Sequence, residues 1–130
     1  MLKTAITPAS LPKPPVPYSP GILADNTLYV AGILSLADDM KTTVGIGDIR
    51  IQTRQVIETI KTIVVEAGGT LKDITFNSIF IRNLDDYPGM NEVYGEYFDE
   101  TPPARYCIRA DLVPPDCLVE IASVAHIEPR

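Results

Sequence analysis

The stretch CLVEIASVAHI, from Cys117 to Ile127, constrains the fold more than any other part of this 130-residue chain. Apolar side chains occupy nearly every position. A short run of this kind reads as a β-strand covered on both faces, because successive side chains point to opposite sides of a sheet. The length is that of one domain, residues 1–130, and the pattern offers two helices, enough to cover one face. The second face therefore calls for another copy of the chain. An oligomeric α+β fold is expected.

Two segments carry helical periodicity. In GIGDIRIQTRQVIETIKTIVVEAGG, residues Ile49, Thr53, Val56, Ile60, Ile63 and Ala67 recur at steps of three or four. Asp48 is placed to cap the first turn, and Gly68-Gly69 to stop the last. In DDYPGMNEVYGEYF, residues Tyr87, Met90, Tyr94 and Phe98 form one stripe, which reads as core packing. Between the helices, ITFNSIFIRNL is short and rich in β-branched and aromatic residues, as a strand should be. Upstream, two apolar runs flank Asp25-Asn26, which suits a tight hairpin. Six of the 12 prolines precede Gly21. That segment lacks ladder donors and should run extended, as a loose arm or as a strap over a neighbouring surface.

Charge and cysteine usage exclude several classes of function. Eleven basic against 17 acidic residues leave a net charge of −6, and no basic stripe offsets it, so nucleic acid is not an expected partner. There is no apolar run of membrane-spanning length and no export signal, and Cys107 and Cys117 read as free thiols of a reducing cytoplasm. One histidine and two cysteines are too few for a dedicated zinc site. Glycine-rich phosphate loops and nucleophile elbows are missing as well. Neither metal nor cofactor is expected.

Chemistry concentrates in PPARYCIRADLVPPD, Pro102 to Asp116. Alternation puts Ala104, Tyr106, Ile108, Ala110 and Leu112 toward a core, and Arg105, Cys107, Arg109 and Asp111 on the opposite face. If Pro114-Pro115 form the centre of a turn, Arg109 lies across from Glu120, and Arg105, Cys107, Arg109 and Glu120 share one face. A guanidinium fork there would grip a planar carboxylate, with Glu120 beside it. Structural readings stand next to this one. Arg109 and Glu120 could form a cross-strand ion pair, Arg105 could pair with another acid, and Cys107 could be a small buried hydrophobe. His126 lies roughly 20 Å along the strand from Glu120 and reads as structural. None of Lys3, Lys13, Lys41, Lys61 and Lys72 falls in this region, so a Schiff-base lysine has no support.

The segment PPARYCIRADLVPPDCLVEIASVAHI resembles the reactive intermediate deaminases, the RidA/YjgF proteins, whose signature is Pro-Ala-Arg ahead of a strand and a closing Val-Glu-Ile-Ala-like strand. PYSPG at Pro17–Gly21, YVAG at Tyr29–Gly32, QTRQVIETI at Gln52–Ile60 and EAGGTLKDITFNSIFI at Glu66–Ile81 extend the similarity in order along the chain. GILADNTLYVAG, TFNSIFI, PARYCI and EIASVAHI are closest in wording to the RutC-type aminoacrylate deaminase branch. The resemblance implies a chorismate-mutase-like α+β fold, with a mixed, mostly antiparallel sheet and two helices on one face. It also implies a homotrimeric barrel with clefts between subunits. Arg105 would grip the substrate carboxylate, Tyr18 and the backbone at Gly32 would line the cleft, Cys107 would form part of its wall, and Glu120 would orient a water.

The implied reaction hydrolyses a small enamine or imine acid without metal or cofactor, foremost 3-aminoacrylate to malonic semialdehyde and ammonia in uracil degradation. Alternatives are 2-aminoacrylate, an aminomuconate, or a non-catalytic trimer that binds a small carboxylate. Many RidA proteins carry Ser-Gly-Gln where this chain has Ala31, Gly32 and Ile33. That departure implies weaker handling of 2-aminoacrylate. The family has also been associated with ribonuclease activity, against which the acidic balance argues.

Overall fold

Asp48 begins the longest helix in the way its position dictates: extended itself, it accepts hydrogen bonds from the amides of Arg50 (3.0 Å) and Ile51 (3.1 Å). In the computed structural model, which describes residues 2–128, that helix is α1, Ile49–Glu66. Its buried stripe includes Ile49, Thr53, Val56, Ile60 and Ile63. Gly68, at φ +98°, then turns the chain in a conformation that a side chain would resist. The second helix, α2, spans Tyr87–Tyr97, and three members of its stripe, Met90, Tyr94 and Phe98, are buried. Tyr87 is exposed instead. A Cβ at Gly89 would lie 2.7 Å from Ile49 Cγ2, so a glycine there lets α2 close on α1.

The strands are β1 Lys3–Ile6, β2 Gly21–Ala24, β3 Thr27–Leu34, β4 Ile74–Ile81, β5 Ala104–Arg109 and β6 Val119–His126. They form one sheet in the order β1-β2-β3-β6-β4-β5, antiparallel throughout except for the parallel pair β4–β5, whose crossover contains α2. Asp25-Asn26 is the expected two-residue turn, with Ala24 paired to Thr27 and Asp25 at φ 51°. Strand β1 is an edge strand that no pattern in the sequence announces. The proline-rich segment after it is a strap over its own domain. Leu11, Pro12 and Pro14 face Leu34, Gln55 and Ile63 across a cavity of about 90 Å³.

Both helices cover one face of the sheet, where Leu28, Val30, Ile79, Ile81, Val119, Ile121 and Ala125 meet Val56, Ile57, Ile60, Ile63 and Met90. The expected mixed, mostly antiparallel sheet with two helices on one side is therefore the observed architecture. On β6, Val119, Ile121, Ser123 and Ala125 are buried, while Glu120, Ala122 and Val124 are half-buried on the other face. That uncovered face carries Tyr29, Tyr106 and Ile108, which are 53 %, 44 % and 49 % exposed.

The hairpin expected around Pro114-Pro115 does not form. β5 pairs in parallel with β4, Arg109 lies beside Ile81, and Glu120 lies between Leu34 and Phe80. Proline cannot supply the positive φ that a two-residue hairpin turn needs. A turn closes one residue later, with the Cys117 amide donating to the Pro114 carbonyl (3.2 Å). Arg82 then holds the connection through the carbonyls of Leu112, Pro114 and Cys117, and Gln52 binds Asp116 and Leu118. Two further expectations fall with the hairpin. Tyr106 and Ile108 face the open side of an edge strand rather than a core, and Glu120 is on the face opposite Arg105, Cys107 and Arg109.

Candidate active site

Arg105 is brought to the helix-covered face at the free edge of the sheet, where β5 runs beside α2. Its Nη2 donates to Asn91 Oδ1 at 2.7 Å and to the Tyr87 hydroxyl at 3.1 Å. The guanidinium carbon stands 4.7 Å from the Tyr94 ring centroid and 5.8 Å from that of Tyr87, within cation–π range. Nη1 is buried and has no hydrogen-bond partner. Among the described residues no carboxylate pairs with Arg105; the ion pairs are Arg50–Glu92, Arg54–Glu96 and Lys72–Glu100. The ion-pair reading of Arg105 therefore has no partner to rest on. Arg109, exposed at the end of β5, forms no ion pair with Glu120.

Cys107 follows two residues along the same face, half-buried, beside a hollow lined by Ile81, Leu84, Tyr87, Arg105 and Tyr106. Burial pushes its thiol pKa up, and the nearby guanidinium opposes this only in part. A thiol so held stays protonated and is a poor nucleophile.

Glu120, Gly32 and Tyr18 gather on the uncovered face. A β-bulge between Val30 and Ile33 carries Ala31 and Gly32 out of register with β6, and the Ala31 amide binds the Pro20 carbonyl (2.9 Å), which draws the PYSPG segment to the same place. A Cβ on Gly32 would run into the Glu120 carboxylate. Glycine there is what gives the carboxylate its room. Burial raises the pKa of Glu120, and Tyr18 is raised by burial and then by the negative charge of Glu120.

Within one chain the five residues thus form two halves, Arg105 with Cys107 and Tyr18 with Gly32 and Glu120. Strand β4 lies between β5 and β6, so the halves are about 10 Å apart across the sheet and point to opposite sides of it. His126 belongs to neither; its ring lies 3.1 Å from the Thr75 hydroxyl at the far end of β6. Tyr87, Asn91 and Tyr94 were not among the expected site residues, although their spacing of four and three places them on one helix face. Among the described residues no cluster of three or more His, Cys, Asp or Glu side chains could hold a metal, and no helix is long and apolar enough to cross a membrane.

The arrangement can be set beside known proteins. Residues 8–127 match the family described as Endoribonuclease L-PSP. A 3-aminoacrylate deaminase RutC of Acinetobacter baylyi is 55 % identical over 127 residues, 98 % of this chain and 100 % of that protein. Among solved structures, the Rid-family protein YyfA of Yersinia pestis superposes with a TM-score of 0.89 at 33 % identity, covering 97 % of this chain and 100 % of that one. TdcF of E. coli, solved with bound serine, gives 0.86 at 30 % identity, covering 96 % and 99 %. With a family match spanning nearly its whole length and a relative of this identity, the chain belongs to the RidA/YjgF proteins, the Endoribonuclease L-PSP family.

Proposed function

We propose that this chain is an enamine/imine deaminase that hydrolyses 3-aminoacrylate to malonic semialdehyde and ammonia, in the cytoplasm and as a step of uracil degradation. The observation that carries the reading is the buried, unpartnered Nη1 of Arg105, a charged donor desolvated and oriented with nothing of its own chain to bind. A substrate carboxylate would complete it, and a desolvated guanidinium holds such a group strongly. The RutC relative is named for this substrate, and the serine bound by TdcF carries the same carboxylate.

The chemistry follows from the substrate. The enamine tautomerises to an imine whose carbon is electrophilic. Water adds to that carbon, and the carbinolamine expels ammonia to leave the aldehyde. Arg105 fixes the carboxylate, so the imine carbon is held where water can reach it. Glu120 orders that water and takes its proton, Tyr18 and Gly32 line the cleft, and Cys107 is wall rather than nucleophile. One chain supplies only halves of this site. A homotrimer brings the Arg105 half of one copy against the Tyr18–Gly32–Glu120 half of its neighbour, and the exposed Tyr29, Tyr106 and Ile108 are the surface available to hold the copies together. Ala31 and Ile33 lack the hydroxyl and amide of the Ser-Gly-Gln pattern, so 2-aminoacrylate should be the slower substrate.

The test generates 3-aminoacrylate in the assay with an upstream hydrolase and follows ammonia release with and without the protein. A rate above the uncatalysed one, and above that for 2-aminoacrylate, is expected; equal rates with and without protein would leave a carboxylate-binding trimer as the better reading. A finer result concerns Gly32. In Gly32→Ala the new methyl displaces the Glu120 carboxylate, which yields because it is the end of a flexible side chain. Thermal unfolding should change little, while kcat for ammonia release falls at least about tenfold.

A further inference from the structure

The side chains that hydrogen-bond or stack on Arg105 are all neutral: Asn91, Tyr87 and Tyr94. A buried chain of polar groups leads to it from the middle of the sheet. Ser123 on β6 donates to Asn77 Oδ1 on β4 (2.5 Å), and Asn77 Nδ2 donates to the Tyr94 hydroxyl on α2 (3.0 Å). The Tyr94 ring then stacks against the guanidinium, whose Nη2 is taken by Asn91 and Tyr87. Asn77, Ser123 and Tyr94 are all buried, where unpaired polar groups are costly and apolar ones would pack without that risk. A desolvated arginine is ordinarily balanced by a carboxylate. Glu92, the neighbour of Asn91 in sequence, binds Arg50 at 2.6 Å instead. An aspartate at position 91 would satisfy the same donor, and the chain has an asparagine.

We infer that Asn91 is a positioning residue whose lack of charge sets how tightly the site takes a carboxylate. Its Oδ1 takes up the Nη2 edge of the guanidinium and leaves Nη1, buried and unpartnered, for another acceptor. Being neutral, it leaves the positive charge for the ligand. The inference rests on the carboxylate-gripping role proposed for Arg105 and adds what keeps that charge available. A purely structural role, tying α2 to β5, would need only the hydrogen bond and would be indifferent to charge.

The experiment titrates the protein with acrylate, followed by NMR, with acrylamide as the uncharged probe of the same shape. Asn91→Asp keeps an acceptor of nearly the same size and adds a charge. It should weaken acrylate at least about tenfold and acrylamide less than about twofold, and in turnover it should raise KM with kcat little changed. Asn91→Leu removes the acceptor without adding charge and should cost acrylate less than Asn91→Asp does. Tyr87→Glu, at an exposed position, brings a carboxylate to the same nitrogen and should reproduce the selective loss if Asn91→Asp does not fold. Equal weakening of both probes, or unchanged acrylate binding in the charged variants while Arg105→Ala loses it, would overturn the inference. Acrylate binding by Arg105→Ala at the wild-type level would instead overturn the role of Arg105 itself.

Discussion

Arg105→Ala should lower kcat/KM for 3-aminoacrylate by about a thousandfold, the equivalent of two charge-assisted hydrogen bonds at roughly 2 kcal/mol each. Folding should survive. In the native chain the guanidinium carries a buried donor without a partner, and its removal releases two acceptors, Asn91 and Tyr87, that solvent can satisfy. The unfolding midpoint should therefore stay level or rise. A structural salt bridge would behave oppositely, since truncating one partner strands the other. Arg105→Lys separates charge from shape. A lysine keeps the positive charge but loses the planar fork and its stacking on Tyr94, so most of the activity should still be missing. Steady-state ammonia release together with thermal unfolding decides between these expectations. Loss of stability with retained activity would remove Arg105 from the mechanism.

Glu120→Gln should reduce kcat by about 10²- to 10⁴-fold, the usual contribution of a positioned base, with a much smaller change in KM. The pH profile is the sharper reading. Burial raises the pKa of Glu120, so the ionised form that would accept a proton from water appears at a higher pH than in a solvated glutamate. Wild-type kcat should fall as pH drops through that raised value, and the variant should lose this acid limb. Stability carries the same signature with a defined sign. The folded state binds the Glu120 proton more tightly than the unfolded chain does. Wild-type stability should thus decline as pH rises from the unfolded glutamate value through the raised folded one, and Glu120→Gln should flatten that decline. Chemical denaturation at several pH values tests it. An unchanged acid limb in Glu120→Gln would assign the limb to another group.

Local signals in this chain are strong and the distant ones weak. The Asp48 cap, the α1 stripe, the Gly68 stop and the Asp25-Asn26 turn each depend on residues within a few positions, and each is where the sequence puts it. The β5–β6 region fails because alternation reports only that one face is apolar. It does not say whether a core or a neighbouring molecule covers that face, and Tyr106 and Ile108 have the pattern of the first and the exposure of the second. Pairing partners are equally illegible there. Nothing in ARYCIR distinguishes a hairpin with β6 from a parallel edge beside β4, and only Pro114-Pro115 argued against the hairpin. At the site, Arg105 stood out because a guanidinium amid alternating apolar residues needs an explanation. Tyr87, Asn91 and Tyr94 did not, since aromatic residues at helical spacing usually mean packing, and Tyr94 does have one side in the core.

The parallel pairing of β4 with β5 encloses α2 between the two strands, so Asn77, Asn91, Tyr94 and Arg105 all fall within Ile74–Arg109. The carboxylate grip proposed for Arg105 is thus written as one continuous supersecondary unit, whereas Tyr18, Gly32 and Glu120 are assembled from both ends of the chain. The two halves are exposed to sequence change in different ways. A single recombination event could transplant the first intact, but the second has to be rebuilt residue by residue. On the proposed role of Arg105, new substrate shapes are therefore more readily reached by varying the strap, the bulge and β6 around a fixed grip than by moving the grip itself.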